Sequence, residues 1–113
     1  MKALLIEILE KYGYPVILHG SMAEDEQYPE NFITFQITGS PEQDFFDGVP
    51  HGTQWRAMVA FYTSNPALLS TMPRQIYADL KAAGWIPQGK GHDIPSDEST
   101  HTGWVNEYHF LEV

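Results

Sequence analysis

The sequence predicts an α+β domain: a mainly antiparallel or mixed sheet of four to five strands with two helices packed on one face. Three observations carry that expectation. Phe32–Thr38 and Gln54–Thr63 alternate residue types at the two-residue period of a strand. Lys2–Tyr12 and the stretch after Asn65 repeat apolar residues at helical spacing. Aromatic residues make up 13% of only 113 residues, and large rings need sheets or partners to pack against.

The elements follow in order. Leu4, Leu5, Ile8, Leu9 and Tyr12 share one helical stripe, with Lys2, Glu7, Glu10 and Lys11 elsewhere. Gly13 stands where a C′ residue ends that helix, and Pro15 prevents its return. Val16–Leu18 reads as a short strand and His19–Asn31 as a solvated loop. In Phe32–Thr38, Ile33, Phe35 and Ile37 take one face and Thr34, Gln36 and Thr38 the other, a half-buried strand closed by Gly39, Ser40 and Pro41. Asp44–Gly52 is expected to be a second loop, although Phe45, Phe46 and Val49 are apolar for turn material.

Gln54–Thr63 places Trp55, Ala57, Val59 and Phe61 on an apolar face and Gln54, Arg56, Met58, Ala60 and Tyr62 on a mixed, partly covered one. Asn65-Pro66 supplies an N-cap and a proline at the first helical position. The stripe Leu69, Met72, Ile76, Leu80 then runs to Gly84, with Pro73 expected to kink or split the helix near Thr71. Trp85-Ile86 opens a short strand, and Pro87–Gly103 reads as a long polar loop or open hairpin. Trp104–Val113 is apolar on both faces, as a central strand is. One domain over 1–113 is expected, and helices on one face of one sheet is the economical way to bury both.

Charge and composition narrow the function. Six Lys and Arg face fifteen Asp and Glu, a formal charge of −9, which repels nucleic acid and anionic membranes alike. No specific nucleic-acid or membrane partner is expected. Absence of cysteine removes disulfides, thiolate metal sites and cysteine nucleophiles. The apolar run after Lys2 is too short and too interrupted by Glu7 and Glu10 for a signal peptide, so synthesis in the cytoplasm is expected.

No enzyme chemistry is expected. There is no G-x-S-x-G, and Gly89-Lys90-Gly91 lacks the glycine spacing and following Ser or Thr of a phosphate loop. His92, Asp93, Asp97, Glu98 and His101 gather imidazoles and carboxylates, but in no zinc-like spacing, so neither a metal nor any other cofactor is expected. Trp85, Trp104, Phe45 and Phe46 can form a sticky patch, or two or three of them can belong to the core. Self-association through such aromatics with Arg56 is the expectation. A structural or binding protein follows.

Three stretches carry a resemblance. They are Tyr12-Gly13-Tyr14-Pro15-Val16 running into Gly20-Ser21 and Glu24-Asp25; Tyr28-Pro29 followed by Phe32-Ile33-Thr34-Phe35; and Leu80-Lys81-Ala82-Ala83-Gly84-Trp85 leading to Ser96-Asp97-Glu98 and Thr100-His101-Thr102-Gly103. Together they resemble small tail-morphogenesis proteins of long-tailed phages and prophages of Gram-positive bacteria. The element order over nearly the full length is similar to that of the tail-terminator class, also called tail-completion or tail-to-head joining proteins.

That resemblance implies a protomer closing into a ring, commonly a hexamer. Such a ring caps the tail tube, contacts the head connector, sits in the virion tail and lets DNA pass. It makes Glu24, Asp25 and Glu26, the Asp44–Gly52 loop and the Gly89–Gly103 loop, with His92, Asp97, Glu98 and His101, the candidate ring and partner contacts. The other function considered is a small acidic prophage-encoded module or inhibitor that captures a basic protein.

Overall fold

The computed structural model describes residues 2–19, 29–39, 42–46, 49–95 and 100–112. Helix α1 (Lys2–Glu10) ends two residues short of the expected Tyr12, where Gly13 N–H bonds the Glu10 carbonyl at 3.1 Å. Strands β1 (Val16–Leu18) and β2 (Asn31–Gly39) follow, then β3 (Glu42–Phe46) and the fifteen-residue β4 (Val49–Thr63). A 3-10 turn (Pro66–Ser70) leads into α2 (Met72–Ala82), and β5 (Ile86–Pro87), β6 (His92–Pro95) and β7 (Thr102–Glu112) complete the chain.

The sheet is mixed, in the order β1-β2-β4-β7-β5. The β1–β2 pair is parallel and the others are antiparallel. Along one side of β4, β2 pairs with Arg56–Thr63 and β3 continues with Val49–Thr53. Along the free side of β7, β5 pairs near Tyr108 and β6 near Val105. Seven strands therefore fill five positions, because two positions are each interrupted once.

The interruptions correct one expectation and decide between two alternatives of another. The loop expected at Asp44–Gly52 is largely strand: Phe45 lies opposite Pro50 and Phe46 opposite Val49. Of the long loop or open hairpin expected over Pro87–Gly103, the hairpin forms: β6 runs antiparallel to β7, with His92 opposite Val105. In both cases a partner strand supplies the hydrogen bonds that turn-rich sequence does not advertise. β7 is an interior strand, between β4 and the short β5 and β6, but its face away from the helices is mixed, with Glu107 and His109 between Val105 and an exposed Leu111.

The helix after Asn65 divides at Thr71, the residue expected from Pro73. Asn65 Oδ1 accepts from Ala67 N at 3.1 Å, capping the first piece. The second ends in a double closure, Gly84 N–H to Lys81 O at 3.1 Å and Trp85 N–H to Leu80 O at 2.9 Å. That closure turns the chain so that Trp85 drops into the core.

One face of the sheet carries the core. Ile33, Phe35, Ala57, Val59, Phe61 and Tyr108 pack against Leu5 and Leu9 of α1 and Ile76 and Leu80 of α2. Both helices thus lie on one face, because their stripes and the alternating strand residues form one apolar layer. The other face is not uniformly polar. Phe32 and Thr34 are buried as well, so β2 is covered on both sides at its start rather than half-buried.

Two polar links lock the ends of this layer. Buried Thr63 donates to Asn31 Oδ1 at 2.6 Å and accepts from Asn65 N at 2.9 Å, joining β2, β4 and the 3-10 turn. Tyr12 Oη donates to Asp79 Oδ2 at 2.5 Å, with Gln75 Nε2 at 3.1 Å and Lys11 Nζ at 3.6 Å, joining α1 to α2. The Tyr12 hydrogen bond, ahead of that from Gln75, holds the Asp79 carboxyl below the usual range. Burial and then Asp79 push the Tyr12 hydroxyl upward.

A pH-dependent prediction follows. A depressed carboxyl stabilises the fold above its unfolded value, and that contribution disappears as pH falls through the folded one. Tyr12→Phe is expected to cost about 1–2 kcal/mol near neutrality, the upper figures for a charged acceptor being reduced by its partial exposure. The difference should shrink as Asp79 becomes protonated. Urea denaturation of both chains at about pH 7 and about pH 2.5 checks it, and an equal difference at both would refute the assignment.

Candidate functional site

The interface residues expected from sequence fall into four places. Glu24, Asp25 and Glu26, like Asp97 and Glu98, lie outside the described residues. Phe45 and Phe46 sit in β3. Arg56 is exposed on the face of β4 away from the helices, opposite His109 of β7. Trp104 sits half-buried at the start of β7, opposite Phe61, on the helical side.

The two described loop histidines behave differently. His92 is exposed at the start of β6. His101 is a fastener: its Nε2–H donates to the Pro29 carbonyl at 2.8 Å, and its ring lies 5.9 Å from that of Phe32. It ties the entry of β2 to the entry of β7. Trp85 is 2% exposed and belongs to the core, the alternative weighed for it.

The first distinctive surface is a ribbon. Among the described residues, the pairing of β7 with β4 reaches Glu112 opposite Thr53, and that of β2 with β4 reaches Gly39 opposite Arg56. Beyond Thr53, the described partner of β4 is β3 alone. Among the described residues the sheet continues there as β3 and β4, in a molecule 53 Å long and 28 Å wide. The ribbon sequence Glu42-Gln43-Asp44-Phe45-Phe46 pairs with Val49-Pro50-His51-Gly52-Thr53.

The second surface is a groove of about 420 Å³ between α2 and the start of β7, lined by Leu69, Pro73, Arg74, Tyr77, Lys90 and Trp104. Its rigidity comes from the connection between β5 and β6. Trp104 Nε1 donates to the Lys90 carbonyl at 3.2 Å, and Asn106 Nδ2 to the Gly89 carbonyl at 3.0 Å. Arg74 and Lys90 are both exposed, and among the described residues neither forms an ion pair. Lys81 extends the positive charge, its Nζ 5.9 Å from the Tyr77 ring centroid.

The groove was missed from sequence, although a signal existed. Pro73, Tyr77 and Lys81 recur at four-residue spacing as a second stripe on the helix, beside the Met72, Ile76, Leu80 core stripe. Lys90 and Trp104 join them only through the β6–β7 pairing.

The third surface is the helix-free face. A hollow of about 280 Å³ there is lined by Thr34, Gln36, Met58 and Tyr62, with His19 and His92 coming from opposite edges of the sheet. Nearby, Gln54 Nε2 donates to His109 Nδ1 at 3.1 Å, leaving Nε2–H to donate to Glu107 Oε2 at 3.0 Å. Among the described residues no three His, Asp or Glu side chains converge as metal ligands would.

No family model matches the chain, and no curated protein matches it. No described helix is long and apolar enough to cross a membrane.

Proposed function

We propose that the chain is a structural subunit of a phage or prophage tail, a tail terminator whose copies close into a ring that caps the tail tube and joins it to the head. The sequence resemblance suggests the class. The observation that carries the reading is the β3–β4 ribbon. A two-stranded hairpin is marginal in water and needs a third strand or a packing surface. Among the described residues β3 and the start of β4 pair with each other alone, in a stretch whose sequence holds two phenylalanines, and a neighbouring subunit would supply a further surface.

The sheet edges favour the same reading by being poor sites for simple edge-to-edge growth. β1 has three residues and follows Pro15, while the opposite edge carries Pro87 and Pro95. Proline removes ladder donors and blunts an edge. Association then falls to projecting features, which suits a closed assembly. The charge of −9 suits a channel wall that DNA must pass without adhering.

Light scattering across protein concentration and salt tests the ring. A closed oligomer near six protomers of 12.8 kDa is expected. A monomer at every concentration overturns the ring and favours the acidic binding module. Adding the protein to polymerising tail-tube subunits tests the cap: elongation should stop, and unchanged tube lengths would overturn the tail assignment even if rings form.

A further inference from the structure

We infer that the groove between α2 and β7 is a docking site for a short segment of another protein, one that sets an aromatic side chain beside one or two carboxylates. This goes beyond the tail reading and does not depend on it.

The cations carry the argument. Acids outnumber Lys and Arg fifteen to six, so carboxylates of the same chain are plentiful, and Lys11 pairs with Asp79 at 3.6 Å. Arg74 and Lys90 are exposed, and among the described residues neither forms an ion pair. A carboxylate is present in the same corner of the fold. Asp93 is exposed and lies opposite Trp104 in the β6–β7 register, yet it pairs with neither cation. Two such cations on the walls of one groove make a positive site on a chain of charge −9. That arrangement complements a ligand bearing one or two negative charges. A nucleic acid or an anionic membrane brings many more, and the chain as a whole repels them.

The walls supply the anchor site. Leu69, Pro73, Tyr77 and Trp104 give apolar surface to a volume of about 420 Å³, within the ~300–1,000 Å³ span of ligand sites. Trp104 Nε1, the only donor of its side chain, is taken by the Lys90 carbonyl at 3.2 Å, so the indole offers the groove apolar surface alone. An aromatic anchor in a pocket flanked by opposite charge is the usual composition of an interface centre. The groove is open on its outer side, so a peptide chain can continue past the anchor. It is also preformed. The connection between β5 and β6 is bonded to β7 at Lys90 and, through Asn106 Nδ2, at Gly89, so docking orders little on this side of the contact.

A displayed library of short random peptides, selected on the wild-type chain, tests the assignment. Enriched sequences should pair an aromatic residue with Asp or Glu. A synthetic peptide of the enriched sequence should bind Arg74→Glu with Lys90→Glu about tenfold more weakly than wild type. Both positions are exposed, and thermal unfolding close to wild type establishes that the variant is folded. Converting the peptide's carboxylates to amides should remove the difference between the two proteins, and replacing its aromatic residue by serine should abolish binding to both.

No enrichment, enriched peptides without acidic residues, or equal affinity of the acidic peptide for wild type and variant overturns the site. A wild-type oligomer that the same charge reversal dissociates also overturns it, and gives the groove to a second copy of this chain. The tail reading fails separately, on unchanged tube lengths, so the two failures are distinguishable.

Discussion

Gly91→Ala is expected to lower stability by about 3 kcal/mol and Tm by roughly 12 °C in a chain of this size. Gly91 has φ +89°, in the region L residues avoid. A methyl group there would strike the Trp104 indole nitrogen and lie 2.6 Å from the Val105 carbonyl oxygen. The second obstacle is backbone of the central strand, which cannot yield without disturbing the β6–β7 pairing. Gly89→Ala separates the two costs. Gly89 has φ +95° but open space around its Cβ position, so it should lose only about 1 kcal/mol. Equal losses at the two positions would show that the close approach is unimportant.

Trp85→Ala should cost about 3–5 kcal/mol, the loss associated with emptying a large buried ring site. Trp85 is 2% exposed, and its ring centroid lies 5.2 Å from that of Phe110. Its position follows from the end of α2, where the paired closure at Lys81 and Leu80 turns the chain inward. Leu80, one partner in that closure, is itself fully buried, so the cavity would open beneath the helix. Trp85→Phe keeps an aromatic contact with Phe110 and should lose much less. Urea denaturation followed by far-ultraviolet circular dichroism avoids the confounding emission of Trp55 and Trp104. A loss below about 1 kcal/mol for the alanine variant would mean the site collapses freely.

The candidate site was only partly legible. Phe45, Phe46, Arg56 and Trp104 stood out in sequence as interface material because they are large or cationic in an acidic chain. Trp104 reaches the groove beside Tyr77 and Lys90 only through the sheet, and no spacing rule connects positions separated by a helix end and two edge strands. His101 illustrates the opposite limit. Its polar neighbours place it among the candidate contacts, and its bond to the Pro29 carbonyl across the entry to the sheet is one that no local pattern announces. A histidine's task depends on what faces its two nitrogens, and that is decided by the fold.

Local sequence chemistry determined the elements whose signals act within a few residues. The cap at Asn65, the division at Thr71 forced by Pro73, the stop at Gly84 and the core stripes of α2 and β4 all arise from backbone sterics and periodic burial. Tertiary structure alone decided that Asp44–Gly52 is largely strand and that, of the loop and the open hairpin expected over Pro87–Gly103, the hairpin forms as β6 against β7. Their ladder bonds come from β4 and β7, residues that no local pattern brings alongside. It also decided which apolar residues remained available. Helices covered Trp85 and Tyr108, while the groove kept Tyr77 and Trp104 at its wall beside two cations. Burial is a property of the assembled layers, so the division between core and contact surface emerges only when helices and sheet meet.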